Sequence, residues 1–218
     1  MADHHSSGPD MRFRRLRKKG SRDFGLACDI LDAARICHVG FCLGQQPYVL
    51  PMAHARDGEH LLLHGSIASR LMKGLAGGLN CCVTVTHLDG LVVARSAFNS
   101  SMHYRSVMIF GRATAITGLE EKKRGLDILT EHLIPGRLAE VRASTRKELN
   151  ATTLLVLPIG EFTVKVSNAP PDDAIADLDA PVWAGVIPLA LKAGTPKAAP
   201  DLKKPIPLPA YLAKNRFK

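Results

Sequence analysis

Apolar positions along this chain alternate with polar ones or gather in short blocks, the pattern of strands. Few segments repeat at helical spacing. A short helix is predicted at Asp29–Arg35, followed by a β-rich run from Ile36 to Cys42. After a turn at Gly44–Pro47, a strand runs from Tyr48 to His54, and its internal Pro51 marks an edge or a bulge. Asp57-Gly58 is a hairpin signal, and His60–His64 follows as a strand. A short helix at Ala68–Gly74 and strands at Asn80–His87, Leu91–Ala94 and Ser106–Ile116 come next. Leu119–Leu133 has apolar residues at 119, 126, 129 and 133 and acids in its first turn, hence a helix. A weaker helix ends near Glu148, and the last strands are Leu154–Ile159 and Phe162–Val166, stopped by Pro170-Pro171-Asp172-Asp173. Beyond Ala190 no periodicity remains, which predicts a flexible tail. Short strands, tight turns and few helices make the fold mainly β, an antiparallel barrel with peripheral helices.

The 218 residues suit one domain. We divide them into a basic arm (1–22), a barrel domain (23–190) and a Pro/Lys-rich tail (191–218). The net charge of +9 invites a nucleic-acid reading, but seven basic residues sit between Arg12 and Arg22 and seven between Lys192 and Lys218. The body holds 15 basic against 17 acidic residues, and aromatics are 5%. A nucleic-acid interface needs a basic, aromatic-bearing face on the fold itself, so neither nucleic acid nor membrane is expected as a partner. No apolar run approaches the ~20 residues of a membrane span, and no leader-like stretch opens the chain, so the expected location is the cytoplasm. The five cysteines form no C-x-x-C pair, and the nine histidines are scattered, which supports no metal site.

Nucleophile elbows, Walker loops and G-x-G-x-x-G are all missing. What remains is anion capture. Leu62–Arg70 (LLHGSIASR) places a strand, a glycine break, then Ser69 and Arg70 at a helix start. Free N–H groups at a helix N-terminus suit a phosphate, Gly65 permits close backbone approach, and Arg70 offers a bidentate contact. A helix cap alone would read similarly.

Tyr48-Val-Leu-Pro-Met52, Leu63-His-Gly-Ser66 with Ser69-Arg70, Leu88–Ala97, Tyr104-Arg-Ser-Val107, Glu131–Arg137 and Pro181–Val186 together resemble the flavin-binding split-barrel proteins related to pyridoxamine 5′-phosphate oxidase, nearest the nitroimidazole-reductase-like branch. The resemblance spans about Arg12 to Leu189. It implies a six-stranded antiparallel split β-barrel that forms a homodimer and holds FMN between subunits. By position, Tyr48, Val49, Leu50 and Pro51 should flank the flavin ring, and His64, Gly65, Ser66, Ser69 and Arg70 the ribityl chain and phosphate. Ser106 should reach the flavin from the partner or the facing strand, while Lys165 and Trp183 close the pocket. Two departures stand out: Leu71 replaces the lysine that follows Ser-Arg in the oxidases, leaving Lys73 as a substitute, and His103 replaces an asparagine. The oxidases' C-terminal substrate-binding arginine motif is not evident, which argues against vitamin B6 oxidation.

The resemblance implies an FMN-dependent oxidoreductase that reduces a small electrophile by hydride transfer at the flavin. Arg105 or Lys165 would stabilise the reduced anion, and His64 would handle protons as the catalytic residue. The alternative is a non-catalytic flavin- or haem-binding carrier or sensor on the same barrel. Ser96–Arg105, dense in hydrogen-bonding side chains, is expected to be a long connection lining the cleft or the dimer seam.

Overall fold

A computed structural model describes residues 19–203 and 206–213 of the chain; most of the basic arm therefore lies outside the described residues. Gly20–Ser21 forms β1 and Phe24–Ala33 forms α1. Then come β2 (Ile36–Leu43), β3 (Gln46–Asp57), β4 (His60–Ser66), α2 (Arg70–Ala76), β5 (Asn80–Val93) and β6 (Ser101–Arg112). The remainder is β7 (Thr114–Ala115), α3 (Leu119–Leu133), α4 (Arg146–Ala151), β8 (Thr152–Pro158), β9 (Glu161–Ser167), β10 (Gly185–Pro188) and α5 (Ala210–Ala213). Among the described residues, no helix is long and apolar enough to cross a membrane.

Every ladder is antiparallel, in the order β1-β9-β6-β5-β2-β3-β4-β8-β7, with β10 added to β5. Seven strands have seven residues or more, against the six expected, and β1, β7 and β10 are short. β8 and β9 lie near opposite ends of this order, yet only Ile159 and Gly160 join them. The sheet must therefore curl until its ends nearly meet, and no ladder closes the seam: a split barrel. Its interior holds Val39, Leu61, Leu63, Val83, Val85, Val107, Ile109, Leu155, Leu157 and Val164, with Ile30 and Leu31 of α1 and Met72 and Leu75 of α2 plugging it. A second cluster, Ala55, Leu62, Leu129 and Leu154, packs α3 onto the outer side of the β3–β4–β8 region.

Several expectations are corrected. The first helix starts at Phe24, not Asp29, because Asp23 caps it by accepting a hydrogen bond from the Leu26 amide. Glu148 does not end a helix. It sits in the first turn of α4, in a capping box with Thr145. The helix over 119–133 forms as predicted. Asp89-Gly90 does not separate two strands; it is a bulge inside the 14-residue β5. A Cβ on Gly90 would come 3.0 Å from Ile187 O, so the glycine there admits β10, a strand the sequence reading missed. The tail beyond Ala190 is not free throughout. The Tyr211 ring packs on Gly136, and its hydroxyl donates to Glu140 Oε2 (2.7 Å) and accepts from Arg137 Nη1 (3.1 Å).

The connection after β5 is also shorter than expected. It covers residues 94–100, because His103, Tyr104 and Arg105 already belong to β6. Its hydroxyls serve the turn itself: Ser100 Oγ accepts from Ala94 N and donates to Ser96 O, and Ser96 Oγ accepts from Asn99 N. Arg95 is clamped to Asp173, whose side chain is 1% exposed, through both its backbone N–H and its guanidinium.

Candidate functional site

The site is framed by a change of partners. Gln46–Ala53 of β3 pairs with β2, and His54–Asp57 pairs with β4. The rung His54↔Leu63 is thus the apex of an opening, with the free edge of β3 on one lip and His64–Ser66 of β4 on the other. Pro51, which cannot donate to a ladder, sits on that free edge, as expected. α2 follows the second lip and packs on β4, β7 and β8, turning Leu71, Met72 and Leu75 inward and leaving Arg70 and Lys73 exposed.

On the second lip, Ser69 caps α2 by accepting from Met72 N (3.4 Å), and Ser66 Oγ accepts from Ala68 N (3.2 Å). Both hydroxyl protons stay available for donation. The side chains of Arg70 and Lys73 have no hydrogen-bond or ion-pair partner among the described residues. Two hydroxyls and two free cations within eight residues form a donor set that suits a phosphate. Gly65 has a structural reason of its own: a Cβ there would lie 2.8 Å from Met72 Cγ. His64 is half-buried; its Nδ1 is buried without a partner, and burial lowers its pKa, so the ring is neutral at pH 7.

The other expected residues divide by face. The rungs Pro51↔His38↔Thr84↔Met108↔Thr163 and Thr86↔Ser106↔Lys165 place these side chains on the outer face of the β3–β2–β5–β6–β9 region. Val49 shares that face and is 65% exposed. Past the bulge, Met102↔Leu91↔Ile187 continues it onto an arm made of the ends of β5 and β6 with β10. Nothing described covers this surface, although Leu88, Leu91, Met102, Met108 and Ile187 are all exposed on it. Tyr48 instead turns inward and stacks on Phe41 (5.4 Å between centroids), and Leu50 is 41% exposed. Arg105 is held away from this surface by a bidentate pair with Asp89, both contacts 2.8 Å. Trp183 lies over Gly185 at the arm's edge, 64% exposed. The chain therefore gathers His64 to Lys73 on one lip and Val49, Pro51, Ser106 and Lys165 on a separate bare face. Among the described residues, no cluster of His, Cys, Asp and Glu is arranged to hold a metal ion.

A curled antiparallel sheet with an unpaired seam, one helix-covered side and one bare side defines a split-barrel protein. The chain belongs to the pyridoxamine 5′-phosphate oxidase family, whose profile matches residues 26–166. Among solved structures it is similar to the FAD and haem binding protein from Mycobacterium smegmatis, with 43% identity, 90% of this chain and 97% of that one covered, and a TM-score of 0.87. It is also similar to a flavocytochrome from Azotobacter vinelandii, with 37% identity, coverage of 94% and 95%, and a TM-score of 0.88. A Bacteroides thetaiotaomicron protein assigned to 5-nitroimidazole antibiotic resistance matches at 25% identity over 67% of this chain and 86% of that one, with a TM-score of 0.57. No curated protein matches.

Proposed function

We propose that this protein is a homodimeric flavin-dependent oxidoreductase that reduces a small electrophile. The observation that carries the reading is 43% identity across nine-tenths of the chain to a protein described as binding FAD and haem. The unpaired donors Ser66, Ser69, Arg70 and Lys73 fit the phosphate end of such a cofactor. The bare face with Val49, Pro51, Ser106 and Met108 supports a second copy covering it. The motifs suggest FMN, whereas the similar Mycobacterium smegmatis protein favours FAD; we take the flavin to be FAD.

When bound, the flavin supplies the hydride chemistry. The chain's own residues bind and orient. Arg70 and Lys73 neutralise phosphate charge, and the serine hydroxyls fix its direction. Neutral His64, with its Nε2 not buried, can hold or give a proton at that atom. Because Arg105 is committed to Asp89, Lys165 is the cation on the outer face that can stabilise an anionic reduced ring. The five free thiols agree with work in the reducing cytoplasm.

A second reading, a flavin- and haem-carrying protein, is favoured by the descriptions of the same two structures. Purified protein distinguishes these outcomes. Flavin absorption, with the released cofactor running as FAD, supports the first; an added Soret band supports the second. A colourless preparation that neither colours nor gains thermal stability with FMN or FAD refutes both. Steady-state turnover with a reduced nicotinamide and nitro or quinone acceptors then separates enzyme from carrier.

A further inference from the structure

Three imidazoles from three different elements grip the C-terminal end of α1. His54 Nε2 of β3 lies 3.1 Å from Leu31 O, His87 Nε2 of β5 lies 2.9 Å from Ile30 O, and His132 Nε2 of α3 lies 2.6 Å from Ala34 O. The end of a helix leaves carbonyl oxygens with spare acceptor capacity. Leu31 O also accepts from Ala34 N (3.2 Å) and Ala34 O from Arg35 Nη1 (3.5 Å), so His54 and His132 are second donors to them, while His87 donates to Ile30 O. A carbonyl only accepts, which fixes the proton on Nε2 and leaves Nδ1 as a bare lone pair. His54 is completely buried, and its Nδ1 has no partner.

A proton added to Nδ1 of His54 would not break the bond to Leu31. It would put a charge and an unsatisfied N–H into a site with no acceptor. The neighbours make this worse. The His132 ring is 5.5 Å away. Arg35, whose own Nε is buried and unpaired, bears on both rings, and Arg56 bears on His132. Asp32 is the opposing carboxylate, but it is paired with Arg56. Elsewhere between β3 and α3, Asp57 is paired with Arg124, and Cys28 of α1 faces Arg56 and Asp29.

Burial is the largest cause that drives His54 down to about 4, and it also lowers His132. A folded pKa below the unfolded value of about 6.5 means that the unfolded or opened form binds more protons between the two values. The contribution of His54 to stability is therefore full above about pH 6.5, falls as the pH drops towards 4, and changes no further below that.

We propose that the three histidines form an acid-operated latch. At neutral pH they hold the end of α1 against β3, β5 and α3; a proton captured by the His54–His132 pair frees it. The location gives release a consequence. His54 forms the last β3–β4 rung, opposite Leu63, and His64 of the candidate site is the next residue. The latch thus pins the apex from which the two lips diverge.

Amide hydrogen exchange on the full chain tests this, with protection factors corrected for the intrinsic pH dependence. Between pH 7 and pH 5, protection over residues 30–37 should fall roughly 20-fold, the linkage expected from the shift of His54. His54→Gln keeps a donor for Leu31 O but cannot titrate, and should remove most of that fall. If His54→Gln does not fold, His132→Gln serves instead: it removes the repelling neighbour, brings the folded pKa of His54 closer to its unfolded value, and should make the fall smaller and end it at a higher pH. Protection that is insensitive to pH in the wild type, a fall unchanged in the available variant, or an NMR titration of His54 near 6.5 would each overturn the latch.

Discussion

Gly125 provides a test in which two known effects oppose each other. It lies buried in the middle of α3, where glycine is the poorest residue after proline, and alanine should gain about 1 kcal/mol from propensity alone. A Cβ at this position, however, would clash with Leu154 Cδ2. Leu154 cannot swing aside. It is fully buried among Ala55, Leu62 and Leu129. Overpacking of a full core costs about 1–3 kcal/mol. Gly125→Ala should therefore be net destabilising by about 1 kcal/mol, the clash outweighing the helix gain. Urea denaturation followed by far-UV circular dichroism measures this, with the m-value unchanged if the denatured state is unaffected. A variant as stable as the wild type, or more stable, would refute the claim that α3 is held against the sheet by a glycine contact.

Three further outcomes follow from the site and its supports. Arg70→Ala removes one charge-assisted contact worth about 1.5–3 kcal/mol, so flavin affinity measured by fluorescence titration should fall roughly 10- to 150-fold while the melting temperature of the flavin-free protein stays put. The proposed homodimer across the bare outer face predicts a dimer for the wild type in light scattering and a monomer for Met108→Lys, which places a charge in that face; a monomeric wild type or an unchanged dimer in the variant refutes it. Asp173→Ala leaves Arg95 partly buried and unpaired, and should cost about 1–3 kcal/mol in chemical denaturation, less than a fully buried pair because the Arg95 side chain is 29% exposed.

Local pattern carried much of this fold. The alternation in β2, β5, β6 and β9 and the amphipathic run of α3 were visible because each buries one face, and burial writes its period into the sequence. Signals that depend on a distant partner were misread. Asp89-Gly90 has turn chemistry, yet the glycine is there for the carbonyl of Ile187, nearly a hundred residues later. The polar run after Ala94 suggested a ligand, but His103 bonds to Ala169 O and Arg105 to Asp89 within the protein. The motif around Ser69 and Arg70 was legible as a donor set because it is contiguous. The grip on α1 was not. His54, His87 and His132 have no common spacing, and each looks like a lone histidine until the sheet curls and brings three carbonyls to them.

β5 belongs to two bodies at once. Its first half is a stave of the barrel, and its second half is the middle rail of the arm, with no turn between them. Fourteen residues of strand reach about 45 Å. The Asp89-Gly90 bulge is the one irregularity between the two halves, so the angle at which the arm leaves the barrel wall is set at a single kink, beside the residue whose missing side chain lets β10 approach.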